Sequence, residues 1–398
     1  MPAPFLLDLS HTSHTRARTG IQRVSRSLWR ELGGDAVPVT FDPYERAWRG
    51  LDPGEIDNLA TDAFSSTRGA TWPIAAKLRG HARRLLRSPA VSSQLSALHP
   101  SGLVVPELFS SSVAARLPAL FAATTGPRVA VFHDAIALKF PELTPSKTVA
   151  RFPAYLRELL AFDGIAANSE DSRATLLAYW DWLGIPPKNR PAVTAIPLGI
   201  DLPAAVAQPS TLNSQLLPTV LSVGSLEGRK NHLALLEACE SLWSAGARFE
   251  LRLIGLAHPQ TGRAALARVR ALQAAGRPLR YDGPASDADL AAAYATCAFT
   301  VYPSLIEGFG LPVLESLARG KPCVCSARGA LGEAARDGGC VALESVDAPS
   351  LAAAISRLLS APAELAALAA AASARRLRTW SDYARDVSAW LAGLPRRT

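Results

Sequence analysis

The sequence predicts an α/β protein made of two doubly wound domains that face a central cleft. Three observations predict it. Short apolar runs alternate with helical patterns along most of the 398 residues, the rhythm of a parallel sheet covered on both faces. That rhythm breaks across residues 198–218, where Pro203, Pro209 and Pro218 follow Pro197 among polar residues, the composition of a linker. It then restarts with greater regularity.

In the first half, strands are expected at residues 5–9, 37–41, 103–105, 129–132, 165–167 and 193–196, with helices at 21–32, 146–160 and 171–183. In the second half, strands are expected at 220–223, 249–254, 299–302, 322–325 and 341–343. Helices fill 231–243, 263–274, 287–295, 312–318 and 350–359. Residues 44–100 fit neither rhythm and contain one amphipathic helix, at 73–87. Loops of this length inside a compact domain are usually functional or mobile. In open sheets of this kind, ligands sit at the carboxyl ends of the strands, so the strand-to-helix turns are where chemistry is sought.

Composition narrows the classes. With 48% hydrophobic and 19% charged residues, the chain is ordinary globular material and not disordered. No apolar run reaches the ~18–20 residues of a membrane span. The first ten residues lack a basic stretch and meet Asp8 early, so no secretory signal is expected and the protein is placed in the cytoplasm. Cys239, Cys297, Cys323, Cys325 and Cys340 are an odd set, better read as small buried thiols than as a disulfide framework. Cys323 and Cys325 lie two apart and share one face of a strand.

The net charge of +8 is local. Residues 63–106 contain no Asp or Glu, while Arg68, Lys77, Arg79, Arg83, Arg84 and Arg87 contribute six charges, which leaves +2 for the rest. Such a patch favours anionic partners. Nucleic acid fits poorly, because Trp72 is the one aromatic among these cations. Two readings of the 73–87 helix stay open: it lies on an anionic bilayer, or it packs its leucines on the first domain.

Two turns carry the strongest chemical signals. In the first, a strand ends at Tyr302 and Pro303-Ser-Leu-Ile-Glu307-Gly308-Phe309-Gly310-Leu311-Pro312-Val-Leu-Glu315 follows. Pro312 suits the first position of a helix, which Gly320 and Pro322 stop. The amides of Gly310 and Leu311 would favour an anion, and carboxylates such as Glu307 and Glu315 accept hydrogen bonds from vicinal hydroxyls. The plainer alternative is two solvated glutamates beside a glycine turn. In the second turn, Val223-Gly-Ser225-Leu-Glu-Gly-Arg229-Lys230-Asn231, Asn231 is an expected N-cap, and Arg229 and Lys230 could clamp a diphosphate or be mere loop cations.

Elsewhere, Val131-Phe-His133-Asp places a histidine at a strand end, suited to orienting a substrate or handling a proton. Thr19-Gly20-Ile opens a helix after the first loop. Asp287-Ala-Asp289 follows Ser286 and reads as helix capping with acids in the first turn, not as a metal site.

Together these turns resemble the retaining GT-B glycosyltransferases often called family four, in two Rossmann-like domains. Glu307-x7-Glu315 within Ser-Leu-Ile-Glu-Gly-Phe-Gly-Leu-Pro is similar to the donor signature, and residues 222–231 to the phosphate-binding turn. Thr19-Gly-Ile-Gln-Arg-Val and Phe132-His-Asp resemble motifs of a branch that includes bacterial mannosyltransferases, and Trp380-Ser-Asp-Tyr-Ala the start of a final helix crossing back to the first domain. The resemblance divides the chain into an acceptor-side domain at 1–205 with a basic insert at about 45–100, a nucleotide-sugar domain at 206–378, and a helix at 379–398.

The resemblance also implies roles. Glu315 holds the donor ribose, and Glu307 a hydroxyl of the transferred sugar. Phe309, Gly310 and Leu311 serve sugar and phosphate through the backbone, with Gly308, Gly283, Gly20 and Ser225 completing the donor site. Arg229 and Lys230 stabilise the departing diphosphate without metal, and His133 lies near the reacting sugar. The donor is a nucleoside-diphosphate sugar, GDP-mannose by branch, with no cofactor. The acceptor is a glycan or lipid-linked sugar in bacterial polysaccharide synthesis, reached at the inner face of the membrane. No first-domain carboxylate stands out as a covalent nucleophile, which favours front-face attack. Ser225 stands where many relatives have Arg, and Gln22 where a Gly is common. A nucleotide-sugar epimerase of the same shape and a non-catalytic partner subunit are the rival readings.

Overall fold

The computed structural model describes residues 3–17, 19–61, 69–86, 90–202 and 217–397. Most of the expected linker, residues 203–216, and the cations Arg68 and Arg87 lie outside the described residues. The chain divides into two compact units, each built on its own sheet.

The first unit comprises Met1–Asp134, Ala150–Gly199 and Trp380–Thr398. Its strands are β1 (Phe5–Asp8), β2 (Ala36–Asp42), β3 (Ala47–Gly50), β4 (Leu103–Val105), β5 (Arg128–Phe132), β6 (Gly164–Ala167) and β7 (Ala192–Ala195), in the order β3-β2-β1-β4-β5-β6-β7. All neighbours are parallel except β2 and β3. Leu6, Leu7, Val104, Val129, Val131 and Ile165 are fully buried or nearly so, as strands covered on both faces must be. β3 lies where no strand was expected. Asp42 Oδ1 accepts the amides of Tyr44 at 2.9 Å and Glu45 at 3.1 Å, turning the chain so that Phe41 faces Trp48. The last helix, Trp380–Gly393, buries Trp380, Tyr383, Val387 and Leu391 and packs on the helix Gly20–Leu32. Beyond it the Arg397 amide donates to Asp163 Oδ1 at 2.7 Å, and Arg128 grips the same carboxylate.

The second unit comprises Ala135–Val149 and Ile200–Thr379. Residues 135–149 therefore group with it and not with the first unit, as Leu143 comes against the Gly228 backbone. Its six parallel strands are β8 (Thr219–Val223), β9 (Glu250–Ile254), β10 (Leu279–Tyr281), β11 (Phe299–Tyr302), β12 (Cys323–Ser326) and β13 (Cys340–Leu343), in the order β10-β9-β8-β11-β12-β13. β10 was not expected, being a three-residue edge strand whose short apolar run Arg280 interrupts. Val220, Leu251, Phe299, Val301 and Val324 pack with Leu235 and Leu236 of the helix His232–Ser244 and Leu351 and Ile355 of Ala348–Ser360. Connections leave β8 in opposite directions, so the strand order reverses between β8 and β11. The crevice at the carboxyl ends of these two strands is where such sheets bind ligands. Among the described residues no single helix is long and apolar enough to cross a membrane.

Candidate active site

The two turns singled out in the sequence leave the neighbouring strands β8 and β11. After Val223 the chain runs through Ser225, whose hydroxyl donates to Glu227 at 2.8 Å, into a 3-10 turn, Gly228–Lys230. Asn231 follows in the left-handed conformation, with φ of 56°, which Asn tolerates better than most residues. It occupies the N-cap position of His232–Ser244, but its side chain does not cap: it donates to the Val346 carbonyl at 2.8 Å. On the other side β11 ends at Tyr302, and the Leu305 amide donates to the Arg229 carbonyl at 2.9 Å, locking one turn to the other. Gly310 has φ of 103°, and a Cβ there would approach Leu331 to 3.1 Å, so this position accepts only glycine without strain. The helix Leu311–Leu317 begins directly after it, with Val313 donating back to the Gly310 carbonyl at 3.0 Å.

Glu307 sits at the centre. Its carboxylate accepts from Arg229 Nη1 at 2.8 Å, Lys230 Nζ at 2.6 Å, the Tyr302 hydroxyl at 2.9 Å and the Ser304 hydroxyl at 2.5 Å. Lys230 also donates to the Tyr302 hydroxyl, and its ammonium lies 4.8 Å from that ring's centroid. Arg229 pairs in addition with Glu227 at 3.3 Å. Burial alone would raise the Glu307 pKa, but Lys230 and then Arg229 pull it down to about 2. Burial and the neighbouring Arg229 push Lys230 below the usual lysine range against the pull of Glu307. Glu307 and Glu227 outweigh burial at Arg229 and hold its guanidinium charged. The expectation separated a hydroxyl-binding glutamate from a diphosphate-binding cation pair. The structure joins all three in one network.

The other expected donor residues are placed as follows. Glu315 is buried on Leu311–Leu317, close enough to Tyr294 that its charge, after burial, holds that phenol protonated. Gly308, Phe309 and Gly310 form the turn between Glu307 and this helix. Gly283 follows β10 with φ of 66°, and its carbonyl accepts from the Gly255 amide at 2.8 Å beside the end of β9. Ser286 caps the helix Asp287–Thr296, accepting from the Asp289 amide at 3.1 Å. Among the described residues no group of three or more His, Cys, Asp or Glu could hold a metal ion. β12 and β13 bring Cys323 opposite Cys340, and all five thiols are free.

Two expected site residues belong to the first unit. Gly20 opens the helix Gly20–Leu32, with open space where a Cβ would project; the buried Gln22 contacts Thr19 and lies 3.3 Å from His11 Nδ1. His133 follows β5. Its Nε2 donates to the Pro106 carbonyl at 2.7 Å, and its Nδ1 accepts from Asn168 at 3.0 Å. Both ring nitrogens are thus spoken for, and burial lowers the pKa. Burial favours the neutral ring, which ties together the ends of β4, β5 and β6.

Sequence reading missed four buried polar residues at the two strand reversals. Tyr302 and Ser304 flank the glutamate they serve, yet neither residue type signals a carboxylate partner. Asp8 and Glu107 end β1 and β4, where the first sheet reverses, and both are buried. Glu107 accepts from the amides of His11 and Thr12 at 2.8 Å each; Asp8 accepts from the Ser10 amide at 3.0 Å and its hydroxyl at 2.6 Å. The available signal was an acid closing an apolar strand.

Two parallel-sheet α/β units, the second with a cation–carboxylate cluster at its strand reversal, define a protein of the GT-B glycosyltransferase fold. Residues 209–375 match the family described as Glycosyl transferases group 1. Two relatives are from Escherichia coli. The chain is 30% identical to the serotype-specific mannosyltransferase WbdA over 80% of its own length and 38% of the relative's. It is 32% identical to the O-antigen chain mannosyltransferase B over 54% of itself and 56% of that protein. The chain thus spans well under two thirds of either relative. Among solved structures, Anabaena HepE in complex with UDP and glucose matches with a TM-score of 0.69 at 16% identity, covering 98% of this chain and 99% of that one. Sucrose-phosphate synthase from Thermosynechococcus elongatus matches with a TM-score of 0.66 at 19% identity over 97% and 98%. These likenesses speak to the fold alone.

Proposed function

We propose that the protein is a retaining, metal-independent hexosyltransferase that moves mannose from GDP-mannose to a growing glycan or lipid-linked acceptor in bacterial polysaccharide synthesis. The observation that carries the reading is the Glu307 cluster. A nucleoside diphosphate gains negative charge as it leaves, and preorganised cations in a buried site stabilise that charge without reorganising. Arg229 and Lys230 are already fixed by Glu307, Glu227 and Tyr302, so they meet the departing phosphate in place. Glu307 orients them and offers its carboxylate edge to a hydroxyl of the sugar; Glu315 takes the ribose. Two relatives named as mannosyltransferases support mannose over other hexoses.

The test is a panel of nucleoside-diphosphate sugars in excess chelator, read by thermal shift and by NMR of the product formed on an α-mannosyl acceptor. GDP-mannose is expected to give the largest stabilisation, about 2.7 kcal/mol at 100 times its dissociation constant, and an α-linked product. A β-linked product, a requirement for added Mg²⁺ or Mn²⁺, or no response to any donor overturns the reading.

A further inference from the structure

The helix Ile74–Leu85 in the first unit is seated the wrong way round for a packed surface helix. Its buried residues are small, Ala76 and Gly80. A Cβ on Gly80 would come to 2.7 Å from Tyr44 Cβ, so the glycine that weakens this helix is also what lets it lie flat on the turn between β2 and β3. Its large apolar side chains point away: Ile74 is 76% exposed, Leu78 65% and Leu85 85%, with Leu86 just beyond at 83%. At about 100° per residue, Ile74, Leu78 and Leu85 fall within about 40° of one another, and Ala76 and Gly80 roughly opposite. Three of the large hydrophobics exposed among the described residues, Ile74, Leu78 and Leu85, therefore form one stripe instead of being scattered singly.

The charges around the stripe say what covers it. Arg79 and Arg83 are turned back to the protein, on Asp52 at 2.8 Å and Glu45 at 3.4 Å. Lys77 and Arg84 flank the stripe at about 60–80° on one side, Lys77 with its ammonium 5.8 Å from the Tyr44 ring centroid. No Asp or Glu occurs from residue 63 to 106, so no carboxylate of this segment would repel an anionic surface. An aliphatic stripe bordered by cations, on a helix held flat by its small residues, is the pattern of an interfacial helix. A protein partner of the same hydrophobicity would need acids to face Lys77 and Arg84 and would leave the acid-free composition of the whole segment without a role.

We infer that this face docks on an anionic lipid bilayer, with Ile74, Leu78 and Leu85 entering the headgroup boundary and Lys77 and Arg84 meeting the lipid phosphates. Docking needs no nucleotide sugar and stands apart from the transfer chemistry.

The test is flotation of the full chain with vesicles of phosphatidylcholine alone or with 30% phosphatidylglycerol, without donor. Three proteins are compared: the parent, Ile74→Ser/Leu78→Ser/Leu85→Ser, and Lys77→Gln/Arg84→Gln. The parent should float with anionic vesicles, at least tenfold less with neutral ones, and less at 0.5 M salt. Both variants should lose at least tenfold of the anionic binding. The melting temperature of the serine variant should be unchanged, since its altered side chains are mostly exposed, and that of the glutamine variant should fall only by what the Lys77–Tyr44 contact supplies. Equal flotation of the parent and the serine variant, or none by the parent, overturns the proposal. So does a concentration-dependent dimer of the parent, by light scattering, that the serine variant abolishes, for the stripe would then be covered by a second copy.

Discussion

Glu307 illustrates how a single carboxylate can decide both stability and chemistry. It balances two cations inside the protein and receives four hydrogen bonds. Breaking a buried pair by removing one partner typically costs about 3–5 kcal/mol, because the other charge is left uncompensated. Glu307→Gln is therefore expected to lower the melting temperature and to reduce transfer at least ~100-fold. A free nucleoside diphosphate should then raise the melting temperature of the variant more than that of the parent, because its phosphates replace the missing negative charge beside Arg229 and Lys230. Glu315→Ala should instead blunt the response to nucleotide. Equal ligand-induced shifts in the parent and Glu307→Gln would disconnect the glutamate from the phosphate site. The residues themselves were legible in the sequence because each turn is local: Arg229 and Lys230 are adjacent, and Glu307 and Glu315 share one motif. Their union was not, since the Arg229–Glu307 bond spans 78 positions and only the pairing of β8 with β11 brings the turns together.

At the level of strands and loops, both sheets put their distinctive residues where the strand order reverses. In the second unit these are the site residues. In the first they are Asp8 and Glu107, two buried acids that anchor the loop from Ser10 to Thr12. Burial, and next the charge of Glu107, raise the Asp8 pKa from 3.8 to about 7. The native state thus prefers Asp8 protonated. Its contribution is fully present below about pH 4 and is lost as the pH rises through 7. Asn keeps the acceptor that Ser10 uses and removes the charge. The stability advantage of Asp8→Asn over the parent should grow between pH 4 and pH 7 by roughly 1 kcal/mol per pH unit. Urea midpoints across that range check it, and parallel curves for the two proteins would count against it. Strands such as β2 and β8 announce themselves by their β-branched and apolar residues, Val37, Val39, Thr40 and Phe41 in one and Val220, Leu221 and Val223 in the other. β3 and β10 did not, because Arg49 and Arg280 interrupt their short apolar runs. The basic helix was legible as a helix, yet the direction of its leucines was decided by Gly80 against Tyr44, a tertiary contact.

Across the whole molecule, the chain leaves the first unit at Gly199, builds the second, and returns at Trp380. Deleting residues 380–398 strips the helix Gly20–Leu32 of its cover and Asp163 of the Arg397 amide. Loss of Tyr383 and Val387 alone should cost several kcal/mol, on the scale of about 3–5 for a buried aromatic ring. The truncated protein should therefore show protease cleavage throughout residues 3–134 and 150–199 while 217–379 stay resistant, as read by mass spectrometry of the fragments. Equal resistance, or collapse of both regions, would show that the last helix is not what completes the first sheet. The feature has a bearing on birth as well as on stability. On the ribosome the second unit has nearly all its residues in one uninterrupted stretch and can close as it emerges. The first unit, although made earlier, lacks its last helix until the roughly 180 residues between Gly199 and Trp380 have been made, some 10–40 s at about 5–20 residues per second. The order of folding is then the reverse of the order of synthesis, and the face of the helix Gly20–Leu32 that the last helix covers is what a chaperone would meet in the interval.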